Sequence, residues 1–238
     1  RAAPHSATSA VSAAPHGIRA VTAALDGSSA VVEVSTALTG TADSVTYELV
    51  DAEGQVLATA EGLGTVQLAA NGITPWTPET PALYTLRVTV TANGTADTAE
   101  QRIGIRTIRV SSKTGLLLNG QPRTMKGGCI HHDLGILGAA DHAAAERRRI
   151  RLMKESGFDA IRAAHNPFGP AFLDACDELG MLVVEEAFDE WVMGRTSFGL
   201  HVTFEQCWEK DLEDMITRDY NHPCIVMWST GNEVEERD

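Results

Sequence analysis

The sequence predicts a multidomain protein in which a β-sandwich of the immunoglobulin type precedes a parallel α/β sheet. Three observations support this fold class. Short alternating strands fill the first part of the chain, helices alternate with apolar strands in the second part, and polar residues collect after each of those later strands. Period-two patterns indicate half-buried strands, whereas a βαβ series builds a parallel sheet. We expect residues 1–15 to be a linker, residues 16–107 the sandwich and residues 108–238 the α/β domain.

The sandwich prediction depends on alternation between turns. Tyr84, Leu86, Val88 and Val90 share one face of a predicted strand, and the run from Val32 to Leu38 alternates in the same way. About seven such strands over about 90 residues are typical of a small immunoglobulin-like sandwich. The Cys…Trp…Cys signature of antibody domains is absent from this stretch, so we expect a structural role for it.

The second part of the chain reads as βαβαβαβ, which builds either a doubly wound sheet or a barrel. The helix ends carry recognisable signals in Asp141 and Gly157 for the first helix and in Pro170 and Gly180 for the second. The run Thr203–Gln206 has the form of a capping box for the third. The predicted strands span residues 123–128, 158–162, 181–185 and 224–229.

Composition excludes several classes of protein. The chain has 238 residues, 43% of them hydrophobic, and a net charge of −13, which argues against intrinsic disorder and against nucleic acid as a partner. Its apolar stretches are far shorter than the roughly 20 residues of a membrane helix, so we expect no membrane span.

The cysteines predict a cellular location, and the chain ends predict a linker and a fragment. Cys129, Cys176, Cys207 and Cys224 lie far apart without redox or metal spacing, so we expect reduced thiols and a cytoplasmic location. Residues 1–15 are rich in Ala, Ser and Pro and lack periodicity, which is typical of a linker. The chain starts at Arg1 and stops without a domain-ending signal, so we expect a fragment of a longer protein.

Polar residues collect after each predicted parallel strand. The carboxyl ends of parallel strands meet at one edge of a sheet, which is where active sites form in such folds. Four strands that bring ionisable groups to one edge therefore predict an active site. The residues are His131, His132 and Asp133; Arg162, His165 and Asn166; Glu185, Glu186, Asp189 and Glu190; and Asn232 and Glu233.

Each candidate has a simpler interpretation. Arg162 could pair structurally with Glu185 or Glu186, and His165 could cap the following turn. Asn232–Glu233 could begin a helix, where carboxylates are favoured anyway. His131 and His132 could bind a metal, but adjacent residues point in different directions and no His-x-His spacing is present.

The remaining chemistry suits a neutral sugar. The sequence contains no Ser-His-Asp motif, no phosphate-binding glycine loop and no dinucleotide fingerprint. Carboxylate, His, Arg and Asn groups remain, together with the aromatic residues Phe188, Trp191 and Trp228, which we expect to be exposed. Aromatic rings stack on the apolar faces of sugars, and the polar groups hydrogen-bond to hydroxyls.

Five segments, in order, resemble glycoside hydrolase family 2. The run from Arg218 to Glu233 is similar to the acid/base signature of that family, and the resemblance covers about residues 17–238. The other four segments span residues 76–84, 118–128, 161–167 and 176–186.

The resemblance implies an immunoglobulin-like sandwich followed by a (β/α)₈ TIM barrel, of which the chain holds the first four strands. It also implies retaining hydrolysis of terminal β-linked sugars by two carboxylates, with Glu233 as the general acid/base. In this family the nucleophile lies on a later strand, so we expect the fragment to be inactive, because retaining chemistry needs both carboxyl groups about 5 Å apart. The resemblance, together with the exposed aromatic ring at position 228, places the sugar against Asn232, Arg162, His165, His131, Glu190 and Trp228.

The metal of the best-known family members is not expected here. Those β-galactosidases carry a Glu-x-His motif after the third strand, whereas this chain has Glu190-Trp191-Val192. The segment is more similar to a β-galactosidase subgroup without that site. We therefore expect no metal and no other cofactor.

Several functions stay open. The first expectation is a β-galactosidase fragment, and the alternatives within the family are a β-glucuronidase, a β-mannosidase and other exo-β-glycosidases. A non-catalytic carbohydrate-binding or scaffold module and a metal hydrolase are alternatives from other classes. The expected partner is a β-glycoside or oligosaccharide. Self-association is also expected, because half a barrel leaves two sheet edges and an apolar inner face uncovered.

Overall fold

The computed structural model describes residues 12–234, with side chains from residue 17 onward. The chain forms two compact units. The first contains the residues up to Thr74 together with Leu83–Ile105, and the second contains Pro75–Ala82 together with the residues from Arg106 onward. No helix within the described residues is long and apolar enough to cross a membrane.

The first unit is the predicted β-sandwich. One antiparallel sheet has the order β1-β2-β5 and the other has the order β4-β3-β6-β7. The predicted face of Tyr84, Leu86, Val88 and Val90 is buried, so the alternation pattern is confirmed. The seven strands are β1 (Ser12–Asp26), β2 (Ser29–Thr39), β3 (Ser44–Val50), β4 (Val56–Glu61), β5 (Val66–Asn71), β6 (Tyr84–Ala92) and β7 (Thr95–Ile103).

The first strand begins inside the segment that we expected to be a linker. Residues 1–11 lie outside the described residues, but β1 begins at Ser12, and Ala13 is paired with Leu38 of β2. The linker prediction is therefore wrong for residues 12–15. Backbone pairing with β2 provides the hydrogen bonds there, and such pairing does not require the alternating side chains on which the prediction depended.

The second unit opens with a small antiparallel sheet that the sequence did not predict. Its strands β8 (Ile108–Ser111), β9 (Gly115–Leu118) and β10 (Gln121–Pro122) have the order β10-β9-β8. Four-residue and two-residue strands are too short for a periodic signal, so they read as loop in the sequence.

A four-stranded parallel sheet follows, as predicted. Its strands are hydrogen-bonded in chain order, β11-β12-β13-β14, and all three pairs are parallel. Consecutive order is the arrangement of a barrel wall, whereas a doubly wound sheet reverses direction at a switch point. The elements are β11 (Gly127–Ile130), α1 (Ala143–Glu155), β12 (Ala160–Ala163), α2 (Pro170–Leu179), β13 (Leu182–Glu186), α3 (Phe204–Asp219) and β14 (Ile225–Ser229).

Several predicted element ends differ in the structure. Pro170 does begin α2, and Gly180 ends it with a left-handed φ of 72°. Asp141 does not cap α1, because the N-cap of that helix is His142. The Oδ2 atom of Asp141 instead accepts a hydrogen bond from the backbone N–H of Ala171. Thr203 precedes α3 without a side-chain capping bond, so the capping-box prediction is wrong. Its φ and ψ of −123° and −1° depart from the extended conformation typical of an N-cap.

The segment Pro75–Ala82 interrupts the sandwich in sequence but folds with the second unit. The Trp76 ring is fully buried, and its Nε1 donates a hydrogen bond to the carbonyl oxygen of Asp177 at 2.9 Å. The Lys154 ammonium donates to the carbonyl oxygens of Pro78 and Gly180, both at 2.8 Å. The segment is therefore an integral part of the second unit.

Candidate active site

The strand ends of the parallel sheet bring several predicted site residues together. Arg162 of β12 is in register with Val184, two residues before Glu186, and Glu186 is in register with Ser229 of β14. Because side chains alternate along a strand, Arg162, Glu186 and Ser229 share one face of the sheet. This face corresponds to the inner face of a barrel wall.

Glu186 is the centre of this cluster. Its side chain is fully buried and accepts hydrogen bonds from Arg162 at 2.7–3.1 Å, from the Ser229 hydroxyl at 2.7 Å and from His165 Nδ1 at 2.7 Å. Burial acts to raise the pKa of Glu186, but the bonds from Ser229, His165 and Arg162 outweigh it, so the pKa lies below its ordinary value. Glu186 therefore remains an ionised anchor with both oxygens engaged.

Asn232 is attached to the same cluster. It is buried, and its Oδ1 accepts a hydrogen bond from Arg162 Nη2 at 2.9 Å. Its Nδ2 donates to Asp189 Oδ1 at 3.0 Å, and its backbone N–H donates to the carbonyl oxygen of Phe188 at 2.9 Å. These bonds fix the side-chain amide of Asn232 and the chain that leads to residue 233.

Glu233 follows directly in an exposed turn. Its side chain is 80% exposed, and its φ of 46° lies in the left-handed region that non-glycine residues rarely adopt. Arg195 approaches the Glu233 carboxylate at 3.4 Å and donates to the Glu233 carbonyl oxygen at 3.1 Å. No helix begins at Asn232–Glu233 within the described residues, which end at Val234. The carboxyl group is therefore presented to solvent beside the strand ends.

The two predicted histidines of the pocket lie side by side. The ring centroids of His131 and His165 are 5.1 Å apart, and the two rings are arranged edge to face. The ring of His132 instead stacks on Phe168 with centroids 4.0 Å apart, and its Nε2 lies 3.2 Å from the carbonyl oxygen of Pro167. The adjacent histidines therefore face different neighbours, which argues against the metal-pair interpretation. His165 contacts Glu186 rather than capping a turn.

Glu190 lies near Glu233 but uses its carboxylate within its own loop. Its Oε2 accepts the backbone N–H of Arg195 at 2.8 Å, and its Oε1 accepts His201 Nδ1 at 2.9 Å and the His201 backbone N–H at 3.1 Å. The Arg195 N–H, followed by the two His201 donors, lowers the pKa of Glu190 to about 2. Together with Asn232 and Glu233, it lines a small cavity of about 80 Å³.

The residues around Glu190 do not fit a metal ion. Three N–H donors occupy the Glu190 carboxylate, and Val192 offers no ligand atom. Among the described residues, Asp177, His222 and Cys224 form another group with metal-ligand atoms within 4.8 Å. There the Asp177 oxygens already accept bonds from His222 Nδ1 and the Cys224 backbone N–H. In both places the candidate ligand atoms are therefore engaged by donors of the protein.

Trp228 is not brought together with the other predicted pocket residues. It is in register with Glu185, one residue before Ser229, so strand alternation directs it to the sheet face opposite Ser229. Its side chain is 38% exposed, whereas the expected exposure of Phe188 is wrong, because that ring is buried against Phe204. The predicted stacking of a sugar on Trp228 depended on expected exposure alone, and exposure does not distinguish the two faces of a sheet.

Glu185 lies buried on the other face of the sheet from Glu186. Its Oε1 accepts the backbone N–H of Phe168 at 2.8 Å, and its Oε2 has no hydrogen-bond partner among residues 12–234. Burial raises the pKa of Glu185 to about 8, despite the Phe168 bond. The side chain is therefore protonated at neutral pH and serves the core rather than the pocket.

This raised pKa predicts a pH dependence of stability. Between pH 4.5 and about 8 the folded state holds a proton that the unfolded state releases, so the free energy of unfolding falls as pH rises, by up to ~1.4 kcal/mol per pH unit. Glu185→Gln should remove this slope, so its stability relative to wild type increases from pH 5 to pH 8. Urea unfolding at pH 5 and pH 8 measures the difference in free energy of unfolding between Glu185→Gln and wild type. Exposed Glu155→Gln is the control. Parallel pH profiles for wild type and Glu185→Gln would contradict the prediction.

Sequence reasoning missed part of the site. The predicted pairing of Arg162 with Glu185 or Glu186 is confirmed for Glu186, but the sequence did not indicate that His165 and Ser229 bind the same carboxylate. Ser229 carried no signal beyond its position at a strand end. Arg195 and His201 lie between β13 and α3, where no periodicity indicates which residues fold back onto Glu190.

Comparison with known proteins identifies the family. Residues 108–238 match the TIM barrel domain of glycosyl hydrolases family 2, and residues 11–106 match a second model of glycosyl hydrolases family 2. The chain belongs to glycosyl hydrolase family 2. The four parallel strands of this family 2 chain are thus strands of its barrel, as the sequence resemblance implied.

Relatives of this family 2 chain include two kinds of β-glycosidase. It is 38% identical to beta-galactosidase BoGH2A of Bacteroides ovatus, over 93% of this chain and 28% of that protein. It is 33% identical to the beta-glucuronidase of Sus scrofa, over 78% of this chain and 29% of that protein. A family 2 crystal structure from Bacteroides cellulosilyticus superposes with a TM-score of 0.88 at 35% identity, over 95% of this chain and 31% of that one. The chain spans under a third of these relatives' lengths.

Proposed function

We propose that the protein to which this family 2 chain belongs is a retaining exo-β-glycosidase, most simply a β-galactosidase, with Glu233 as its general acid/base. The observation that carries the proposal is the position of Glu233. It directly follows Asn232, which is hydrogen-bonded to the Arg162–Glu186 pair at the common edge of four parallel strands. An exposed carboxyl group beside a fixed polar cluster suits proton transfer to a bound sugar.

In this mechanism each group has a separate task. The Glu233 carboxyl group donates a proton to the departing glycosidic oxygen, and its carboxylate then removes a proton from the attacking water. Asn232, Arg162, His165 and His131 orient the sugar. Arg162 is 34% exposed, which leaves part of its guanidinium accessible beyond the pair with Glu186.

The nucleophile is proposed to lie outside this chain. Glu186 has both oxygens engaged by Arg162, His165 and Ser229, and Glu190 is engaged by its own loop. Glu185 lies on the other face of the sheet. We therefore propose that the 238-residue chain alone does not turn over substrate, because retention needs a second free carboxylate about 5 Å from the first.

The charges at the site favour a neutral sugar. Arg162 is paired with Glu186, and Arg195 is paired with Asp189 and Glu233. A uronic acid would need a cation that is not already neutralised. A β-glucuronidase is the second candidate because enzymes of that name are among the relatives, including a Ruminococcus gnavus structure at 29% identity and TM-score 0.83.

The decisive experiment uses a protein that carries this chain together with the remaining barrel strands. Its rates on 4-nitrophenyl β-galactoside, β-glucuronide, β-mannoside and β-glucoside, with NMR of the first-formed anomer, test sugar and stereochemistry together. We expect the galactoside to be preferred and the β-anomer to form first. Inversion, or absence of turnover on every glycoside, would overturn the proposal. Self-association and a cytoplasmic location stay predictions.

A further inference from the structure

Arg195 connects the loop after β13 to the turn that carries the proposed acid/base. Its Nη2 donates to the carbonyl oxygens of Asn232 at 2.9 Å and Glu233 at 3.1 Å. Its Nη1 lies 3.4 Å from Asp189 Oδ1 and 3.4 Å from Glu233 Oε2. One guanidinium therefore reaches both carbonyls of the turn and the carboxylate itself.

The loop that carries Arg195 is held in place by hydrogen bonds to the buried carboxylate of Glu190. The buried Glu190 carboxylate accepts the Arg195 backbone N–H and both His201 donors, so it ties together two points of the loop six residues apart. The packing is close. A Cβ atom added at Gly194 would overlap the His201 ring, and one added at Gly199 would overlap the Glu190 carboxylate. The Arg195 backbone is thus fixed by buried contacts, although its side chain is 38% exposed.

We infer that Arg195 is a positioning residue that holds the Asn232–Glu233 turn and thereby aims the Glu233 carboxyl group. The inference rests on the proposed function for its catalytic consequence. Glu233 is 80% exposed and has a left-handed φ, so its orientation needs an external constraint. The guanidinium is suited to this task because it is planar and can serve several acceptors at once.

The first test is a leaving-group comparison in the full-length enzyme. Arg195→Gln should reduce kcat/KM for a methyl β-glycoside by about 100-fold, because a misplaced acid cannot protonate a poor leaving group. It should reduce kcat/KM for the 2,4-dinitrophenyl glycoside by less than about fivefold, because that phenolate departs without a proton. Arg195→Lys should recover part of the loss. Arg151→Gln, an exposed arginine on α1, is the matched control and should behave as wild type.

The second test does not depend on activity and uses the 238-residue chain. Amide exchange at Asn232, whose N–H donates to Phe188, should be at least about tenfold faster in Arg195→Gln and unchanged in Arg151→Gln. Unchanged Asn232 exchange, or equal loss on both glycosides, would overturn the role of Arg195. A full-length wild type without glycosidase activity would instead overturn the proposed function, while the exchange result would still decide whether Arg195 holds the turn.

Discussion

If the proposed function holds, replacing Glu233 by glutamine should lower kcat/KM for alkyl β-galactosides by about 10²- to 10⁴-fold in a protein that carries this chain with the remaining barrel strands. A glutamine has nearly the same shape, but it can neither donate the proton that an alkoxide leaving group needs nor activate water afterwards. The loss for a 2,4-dinitrophenyl galactoside should be much smaller in kcat/KM, because that leaving group needs little protonation. Steady-state rates over a leaving-group series measure the contrast.

The same variant separates an enzyme from a binding module. If the protein only bound carbohydrate, Glu233→Gln would change affinity for a sugar without any dependence on the leaving group. Glu155→Gln is the matched control, because Glu155 is an exposed glutamate of α1 remote in sequence from the strand ends. A Glu233→Gln enzyme that retained wild-type rates on methyl galactoside would remove Glu233 from the mechanism.

Replacing Glu186 by glutamine should destabilise the parallel sheet by about 3 kcal/mol. Removing one partner of a buried ion pair leaves the other charge without compensation, and the partial exposure of Arg162 puts the expected cost at the lower end of the range for such pairs. Hydrogen exchange of β13 amides measures the loss in this unit alone. Exposed Glu155→Gln, which breaks a surface pair with Arg151 in the same unit, should change stability by less than about 1 kcal/mol.

The Glu186 pair also has a defined pH window. Because the folded pKa of Glu186 lies below its ordinary value, its stabilisation is complete above the unfolded pKa and is lost as pH falls through the folded one. Acid should therefore narrow the stability gap between wild type and Glu186→Gln. A gap that stayed constant down to strongly acid pH would show that Glu186 does not act through its charge.

Much of the fold could be predicted because it depends on periodic patterns. Local patterns predicted the buried face of Tyr84 through Val90 and the alternation of helix and strand after residue 123. The folded chain has both features. The predicted start of β1 was wrong because pairing with β2, rather than its own pattern, forms that strand. The strands β8 to β10 were missed because they are too short to repeat.

Only those residues of the candidate site that lie at the ends of the parallel strands could be predicted from the sequence. Strand ends brought Arg162, His165 and Asn232 together, since parallel strands share a carboxyl edge. The sequence left Glu185 and Glu186 both open as partners of Arg162, and the structure shows that Glu186 is the partner. The sequence did not reveal that Glu190 would be bound by its own loop. Arg195 reaches the turn through an irregular loop, whose path depends on buried contacts that leave no periodic trace.

Pro75–Ala82 belongs to the second unit although it lies within the sandwich in sequence, and this limits how the two units can be separated or exchanged. A second unit expressed from residue 106 would lack the Trp76 indole, leaving a hole in its interior and the Asp177 carbonyl without its donor. Exchange of sandwiches between related enzymes would then succeed only where the recipient keeps its own version of this short stretch. The chain passes from one unit to the other three times, after residues 74, 82 and 105, so no single cut separates the two units.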